Sequence, residues 1–325
     1  MTKLVWLQTI YADDKLIRPI VNTRVRAIQT SQLMGEIVGA GFVSHAPTIM
    51  FPRELRFEIN DGNEISLVPG LERLRTEVLD SLAPDAVVVF DTHWFTTVEF
   101  VVTAHDRRKG LYTSEELPRG MSQVPYDLKG DPTLAKSIAQ SVENAGVRCH
   151  ASEDPCLPIH YSTVNVGHFL NRGESWLSIG VCQTAQDHNF LAVGRGVADA
   201  IKESDQRVVL LASGGLSHRF WPLDELTEHE NSNPEHILTP EARAADEQRL
   251  DWWQAGDHKS VIENMDAYRS HGPEGKFGHY MMMIGALGGE ACTAKGRLFS
   301  NYENATGTGQ VHVWFDRPVS GWCST

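Results

Sequence analysis

Residues 86–94 read AVVVFDTHW, an apolar and mostly β-branched run that is followed within three residues by a histidine. A continuous apolar run of this length is typical of a strand whose sheet is covered on both faces. In sheets of that kind, ligands bind outside the carboxyl ends of the strands, where His93 is expected to lie. The stretch therefore predicts both a fold class and a polar site at one edge of the sheet.

Two other apolar runs end in the same way. Residues 37–43 (IVGAGFV) lead into His45, and residues 208–212 (VVLLA) lead through SGGLS into His218. The carboxyl ends of parallel strands meet at the same edge of a sheet. The three runs therefore predict three imidazoles at one edge.

Helices are predicted between these strands. Leucines and valines at helical spacing predict a helix over residues 69–82, immediately before the strand that leads to His93. Another helix is predicted over residues 131–145, with proline in its first turn and Gly146 after its end. This alternation predicts right-handed crossovers in a single α/β domain. Its central sheet is expected to be mainly parallel or mixed, with helices on both faces and the active site at the strand carboxyl ends.

Two further segments are expected to border the site. Residues 105–129 are rich in glycine, proline and charge, and they predict a long loop over the strand ends. Residues 274–287 predict a helix with Glu274 at its start, where the positive end of a helix favours a carboxylate.

The ends of the chain are assigned to separate segments. Residues 1–36 precede the first predicted core strand and are interpreted as an N-terminal extension, either an oligomerisation arm or a peripheral hairpin. The catalytic domain is predicted over residues 37–318, and residues 319–325 form a C-terminal tail.

Composition limits the class of protein. The 325 residues include 29 basic and 42 acidic side chains, a net charge of −13, without a long block of either sign. This balance argues against nucleic acid as the main partner. The five cysteines lack C-x-x-C spacing, and free thiols in a reducing cytoplasm are expected. Because no run of 18 apolar residues occurs, no membrane span is predicted.

Two histidines and one carboxylate on one face of a metal ion leave the opposite positions open, as in non-haem Fe(II) oxygenases. His45 and His93 are the predicted imidazole pair. Glu274, between Pro273 and Gly275, is a candidate carboxylate because the flanking residues let the backbone approach closely and fix its direction. Spacing alone does not separate Glu274 from the other carboxylates of the chain.

Six segments of the chain carry a more specific signal. They are VSHAP (43–47), VFDTHW (89–94), GLYTSEELP (110–118), LASGGLSHRF (211–220), EG (274–275) with a methionine-rich stretch after it, and GTGQV (307–311). In this order they resemble the class III extradiol ring-cleaving dioxygenases. The resemblance covers about residues 37–318.

The resemblance implies roles for five residues. His45, His93 and Glu274 would hold Fe(II), or alternatively Mn(II). His218 would be the catalytic acid/base, and His160, in the segment PIHY, a second catalytic residue. The implied reaction is ring cleavage of a small aromatic catechol by O2 to a muconic semialdehyde, in a cytoplasmic homo-oligomer. A carboxylated catechol such as 3,4-dihydroxyphenylacetate is a candidate substrate, with Arg219 as the candidate group that binds its carboxylate.

Other interpretations stay open at this point. Ring cleavage of a 2-aminophenol requires the same ligand set. A zinc hydrolase would use His45 and His93 to hold a metal-bound water, and a non-catalytic binding protein could share the scaffold. Asp91 is a candidate for supporting the ligands, although a turn residue at the strand end is an equal interpretation.

Overall fold

The computed structural model describes residues 34–323, and most of its strands form one large sheet. The strands are β1 (Glu36–Val43), β2 (Ala86–Thr96), β3 (Phe100–Thr103), β4 (Arg107–Tyr112), β5 (Val124–Lys129), β6 (Cys149–Ser152), β7 (Ser175–Cys182), β8 (Arg207–Ser213), β9 (Gly296–Leu298), β10 (Glu303–Ala305), β11 (Thr308–Gln310) and β12 (His312–Asp316). β10 and β11 pair separately as a two-stranded sheet.

The centre of the large sheet is parallel. Its main path has the order β4-β5-β7-β2-β8-β1-β12-β9, and β3 and β6 lie off this path. β2 pairs in parallel with both β7 and β8, and β8 pairs in parallel with β1. β12 runs antiparallel to β1 and extends the sheet as a mixed one. The predicted α/β fold with a mainly parallel or mixed sheet is confirmed.

Helices cover both faces of this sheet. They are α1 (Arg53–Ile59), α2 (Leu67–Arg73), α3 (Asp80–Leu82), α4 (Pro132–Asn144), α5 (Tyr161–Leu170), α6 (Asp187–Glu203), α7 (Pro240–Ala255), α8 (His258–Glu263), α9 (Met265–Tyr268) and α10 (Gly278–Ala286). A π-helical segment, Leu74–Leu79, joins α2 to α3. Within residues 34–323, no helix is both long and apolar enough to cross a bilayer.

Alternate residues of β2 show how the two faces are filled. Val88 and Phe90 belong to an apolar cluster that includes side chains of α4, α6 and α10. Val87 and Val89 belong to a second cluster, which includes side chains of α2 and α5. Because successive side chains of a strand point to opposite faces, one continuous apolar run contributes to both cores.

The segment predicted as a long loop over residues 105–129 is a hairpin instead. β4 and β5 pair antiparallel from Arg107 opposite Lys129 to Tyr112 opposite Val124, and only residues 113–123 connect them. The charged side chains suggest a loop in the sequence, but they form the solvated side of this hairpin. Arg107 and Lys109, two residues apart, both pair with Asp127.

Both ends of the predicted catalytic domain lie within the described residues. β1 begins at Glu36, one residue earlier than expected, and the N-terminal extension lies outside the described residues up to position 33. Near the other end, the indole Nε1 of Trp322 donates a hydrogen bond to the backbone oxygen of Ile37 (3.1 Å). The described part of the predicted tail therefore packs on β1.

The contact between α6 and α10 requires a glycine at position 194, which yields a first prediction. A Cβ there would lie 2.1 Å from the backbone oxygen of Met282, so Gly194→Ala forces two helices apart. We expect the free energy of unfolding in urea to fall by about 2 kcal/mol, although helix propensity alone would raise it by about 1 kcal/mol.

Gly167→Ala on α5 is the matched control for this substitution. Its added methyl group meets only the end of the Leu128 side chain, at 3.3 Å, and we expect a change within about 1 kcal/mol. A stabilised Gly194→Ala protein would contradict the packing described here.

Candidate metal centre

A bulge in β2 delivers His93 to the edge of the sheet. The strand pairs with β7 at Asp91 and again at Phe95, so residues 92–94 form the bulge. The Asp91 carboxylate stabilises it by accepting hydrogen bonds from the backbone N–H groups of His93 (2.9 Å) and Trp94 (3.0 Å). Asp91 therefore shapes the strand end and also positions His93.

His45 follows β1 and is held on two sides. Its Nδ1 lies 3.0 Å from the hydroxyl oxygen of Ser213, at the end of β8, and its backbone oxygen accepts a hydrogen bond from the Asn165 amide (2.8 Å). The remaining ring nitrogen, Nε2, lies 3.2 Å from Oε1 of Glu274. A partner on one ring nitrogen fixes the orientation of the other, as in metal-binding histidines.

Glu274 is presented by a turn and not by the start of a long helix, so that part of the sequence prediction is wrong. A short 3-10 turn spans Glu274–Phe277, and α10 begins only at Gly278. Gly275, Lys276 and Phe277 all have positive φ values, of 54°, 58° and 61°. Left-handed backbone at two non-glycine residues costs about 1–3 kcal/mol each, and such strain is typical of functional sites.

Contacts far along the chain hold this turn in place. The Lys276 ammonium donates to the backbone oxygens of Gln183 (3.0 Å) and Ala185 (2.5 Å). The fully buried Phe277 ring packs against Phe42 and other aromatic rings beneath the sheet edge. Tertiary packing therefore imposes a conformation that local sequence preferences do not favour.

His45, His93 and Glu274 come together as a group that could hold a metal ion. One ligand atom from each lies within 4.8 Å of the others. The Glu274 carboxylate is buried, accepts a hydrogen bond from the Gly215 backbone N–H (2.5 Å) and is hydrogen-bonded by the Thr92 hydroxyl. Its Oε1 also lies 3.8 Å from Nε2 of His93.

The electrostatics of this group suit a cation. Burial alone would favour the neutral acid of Glu274, but the neighbouring His218, His45 and His93 hold its pKa well below the usual range. Burial, together with the nearby His45, lowers the pKa of His93 to about 4. A neutral imidazole beside an ionised carboxylate is the protonation state that binds a divalent metal.

A cavity of about 700 Å³ opens over these three residues. Its polar lining includes His218, whose Nδ1 lies 3.6 Å from Oε2 of Glu274. It also includes Tyr161, whose hydroxyl is hydrogen-bonded to His93 Nε2 and lies 3.3 Å from the Glu116 carboxylate. The predicted His218 and the ligand group therefore face the same space.

Two residues named from the sequence lie elsewhere. His160 is not among the described residues that line the cavity, and its ring stacks at 6.0 Å on the indole of Trp94. Arg219 donates from its guanidinium to the backbone oxygen of Ser270 (2.5 Å) and is also absent from that lining. The hypothesis that Arg219 binds a substrate carboxylate therefore has no support in this geometry.

A buried carboxylate, Asp246 of α7, anchors the loop that carries His218. It accepts hydrogen bonds from the Ser217 hydroxyl (2.7 Å) and backbone N–H (3.1 Å) and from the hydroxyls of Tyr268 (2.7 Å) and Tyr302 (2.6 Å). The next residue, His218, donates its backbone N–H to Gly272 (3.1 Å), two residues before Glu274. Asp246 thus positions His218 without touching the cavity.

Sequence reasoning missed Tyr161, Thr92 and Asp246 as contributors to the site. Tyr161 directly follows His160 in the chain, and Thr92 directly precedes His93, so both belong to segments that the sequence prediction already includes. Asp246 stands in a mostly polar helix, and only the tertiary contacts of α7 distinguish it from exposed acids.

Comparisons with known proteins agree with this geometry. A sequence model of the family described as "Catalytic LigB subunit of aromatic ring-opening dioxygenase" matches residues 39–316. The chain is 29% identical over 260 residues to 3,4-dihydroxyphenylacetate 2,3-dioxygenase of Escherichia coli, which covers 78% of this chain and 91% of that protein.

More distant relatives include both subunits of one enzyme. The chain is 24% identical over 243 residues to the 2-aminophenol 1,6-dioxygenase alpha subunit of Pseudomonas sp, covering 74% of this chain and 86% of that one. The beta subunit is 23% identical over 305 residues, covering 88% and 96%. The crystal structure of an uncharacterized Escherichia coli K12 protein matches in fold, with a TM-score of 0.59, 18% identity, and coverage of 85% and 99%.

The Asp246 network yields a second prediction. Asp246→Asn keeps the side-chain size but replaces one acceptor oxygen by an amide donor that faces other donors. We expect the free energy of unfolding to fall by about 1–3 kcal/mol, because buried donors lose their acceptor. The exposed Asp251 of the same helix provides the control, and Asp251→Asn should change it by no more than about 0.5 kcal/mol. Equal effects of both substitutions in urea unfolding would argue against the network.

Proposed function

Because the chain belongs to the family of catalytic LigB subunits of aromatic ring-opening dioxygenases, we propose that it performs extradiol cleavage of a catechol with O2, using Fe(II). The supporting observation is the convergence of two imidazoles and one carboxylate at the floor of a cavity. The product would be a muconic semialdehyde.

The donor set fits a metal with open coordination positions. Two ligands at right angles on a metal with bonds of about 2.1 Å lie about 3 Å apart. The 3.2 Å between His45 Nε2 and Glu274 Oε1 is close to this value. When bound, iron would supply the electron transfer between catechol and O2 and hold both reactants side by side. We also propose that the metal is iron rather than manganese, which metal analysis tests. A homo-oligomeric assembly is a further proposal, which light scattering tests.

The residues around the metal position have separate roles in this proposal. A catechol hydroxyl must lose a proton in order to bind a metal, and His218 lines the cavity at a position from which it could accept that proton. His218 would return the proton as the ring opens. His160 stays a proposed second catalytic residue, although Tyr161 is the side chain of that segment that lines the cavity.

A 2-aminophenol is the second candidate substrate. The similarity to both subunits of 2-aminophenol 1,6-dioxygenase favours it, and an aminophenol presents the same pair of adjacent ring substituents to a metal. A direct comparison of catechol with 2-aminophenol separates the two activities.

The role of Glu274 yields a third prediction. In Glu274→Gln, the amide keeps the size of the side chain but removes the anionic ligand. We expect the iron content after anaerobic loading to fall from about one per chain to a small fraction of that, with loss of catechol-dependent O2 uptake. Circular dichroism checks that the fold is retained.

The exposed Glu290, just after α10, is the control for this substitution. Glu290→Gln should bind iron and consume O2 like the unmodified protein. Iron retained in full by Glu274→Gln would refute the ligand assignment. Bound zinc instead of iron, without O2 uptake on any catechol or 2-aminophenol, would instead favour the hydrolase interpretation.

The role of His218 yields a fourth prediction. His218→Gln should keep its iron but lower kcat by about 10²–10⁴-fold, the usual effect of removing a general acid/base. His150→Gln, at an exposed histidine, should leave kcat unchanged. His160→Gln tests the second predicted residue in the same assay. A kcat for His218→Gln that matches the His150→Gln control would exclude His218 from proton transfer.

A further inference from the structure

We infer that the catechol cleaved by this chain carries an uncharged, apolar substituent and not a carboxylate. This inference rests on the proposed function and names the substrate class of the same site. It departs from what the name of the Escherichia coli relative would suggest, since 3,4-dihydroxyphenylacetate is an anion at neutral pH.

The walls of the cavity are the first argument. Beyond the ligand group, the lining is dominated by large apolar side chains from the ends of several segments. These are Phe95, Leu117, Phe220, Trp221, Leu223 and Leu226. A volume of about 700 Å³ is more than a single catechol ring needs, since pockets of roughly 300–1,000 Å³ hold drug-sized ligands. The apolar walls therefore have room for a hydrophobic substituent.

The charges of the cavity are the second argument. Among residues 34–323, no lysine or arginine lines it, whereas the carboxylates of Glu274 and Glu116 do. Glu116 stands 3.8 Å from Nδ1 of His93. A substrate carboxylate would lose hydration against apolar walls, find no lysine or arginine to pair with and be repelled by Glu116.

Several basic side chains on the segments that build the site donate hydrogen bonds to backbone oxygens. Arg219 donates to the Ser270 backbone oxygen, Lys276 to the two backbone oxygens behind the Glu274 turn, and Arg108 to the backbone oxygen of Leu157 (2.8 Å). Arg119, on the loop that also carries Glu116, is exposed and lies outside the cavity lining. Apart from the exposed Arg119, these nearby cations are thus held in structural contacts.

A set of three substrates that share one ring tests the inference. The iron-loaded protein is assayed with 3,4-dihydroxyphenylacetate, with its methyl ester and with 4-propylcatechol. We expect kcat/KM for the two neutral catechols to exceed that for the acid by about tenfold to a hundredfold, as for an unpaired buried polar group. A kcat/KM for the acid that equals or exceeds that of its ester would overturn the inference.

A positive charge introduced at the mouth of the cavity should weaken the preference for neutral catechols. Leu223 is 82% exposed, so Leu223→Arg can be made without disturbing the core. We expect this variant to improve kcat/KM for the acid relative to the ester by at least about fivefold, as one partly exposed ion pair would allow. Leu223→Gln, which is polar but uncharged, should leave the ratio unchanged. A ratio that moves equally in both variants would show that charge does not govern selection here.

Failure of the proposed function is distinguished by unsubstituted catechol. If O2 uptake fails with catechol and with all three substituted compounds, the ring-cleavage proposal fails. The inference is then decided by the Kd of the acid and the ester, measured by calorimetry on the metal-loaded protein without O2. Tighter binding of the ester supports it, and equal or tighter binding of the acid contradicts it.

Discussion

Burying the carboxylate of Glu274 is the constraint on which the rest of the site depends. A carboxylate taken out of water destabilises the fold unless its charge is compensated. Here Thr92 and the Gly215 N–H donate to it, and His45, His93 and His218 surround it. These contacts come from the ends of β1, β2 and β8 and the loops that follow them. Because these three strands are parallel neighbours, their carboxyl ends bring all of these groups to one edge of the sheet.

The fold reaches this arrangement by departing locally from regular structure. β2 forms a bulge over residues 92–94, and the segment before α10 contains three successive left-handed residues. Each departure is held by a specific contact. Asp91 holds the bulge, and Lys276 and Phe277 hold the turn. The local strain is thus offset by well-packed surroundings, which fix the positions of the His93 and Glu274 side chains.

Much of this architecture can be read from the sequence because two signals are strong. Apolar runs of strand length identify β1, β2 and β8, and each is followed by a histidine, so the edge that carries the site is predictable. The β4-β5 hairpin is not, since its alternating charges resemble a polar loop. The contact of Arg219 with the backbone oxygen of Ser270, some fifty residues away, is not predictable from the sequence. The left-handed turn after Glu274 was missed because two of its three residues are not glycine and local preference favours a helix.

The proposed reaction adds both atoms of O2 to a catechol ring. The most direct test is a single incubation of iron-loaded protein with catechol under ¹⁸O2, with immediate reduction of the aldehyde so that its oxygen cannot exchange. We expect mass spectrometry to show a ring-opened product that contains two ¹⁸O atoms. A product with oxygen derived only from water, or no ring-opened product with either catechol or 2-aminophenol, would contradict it.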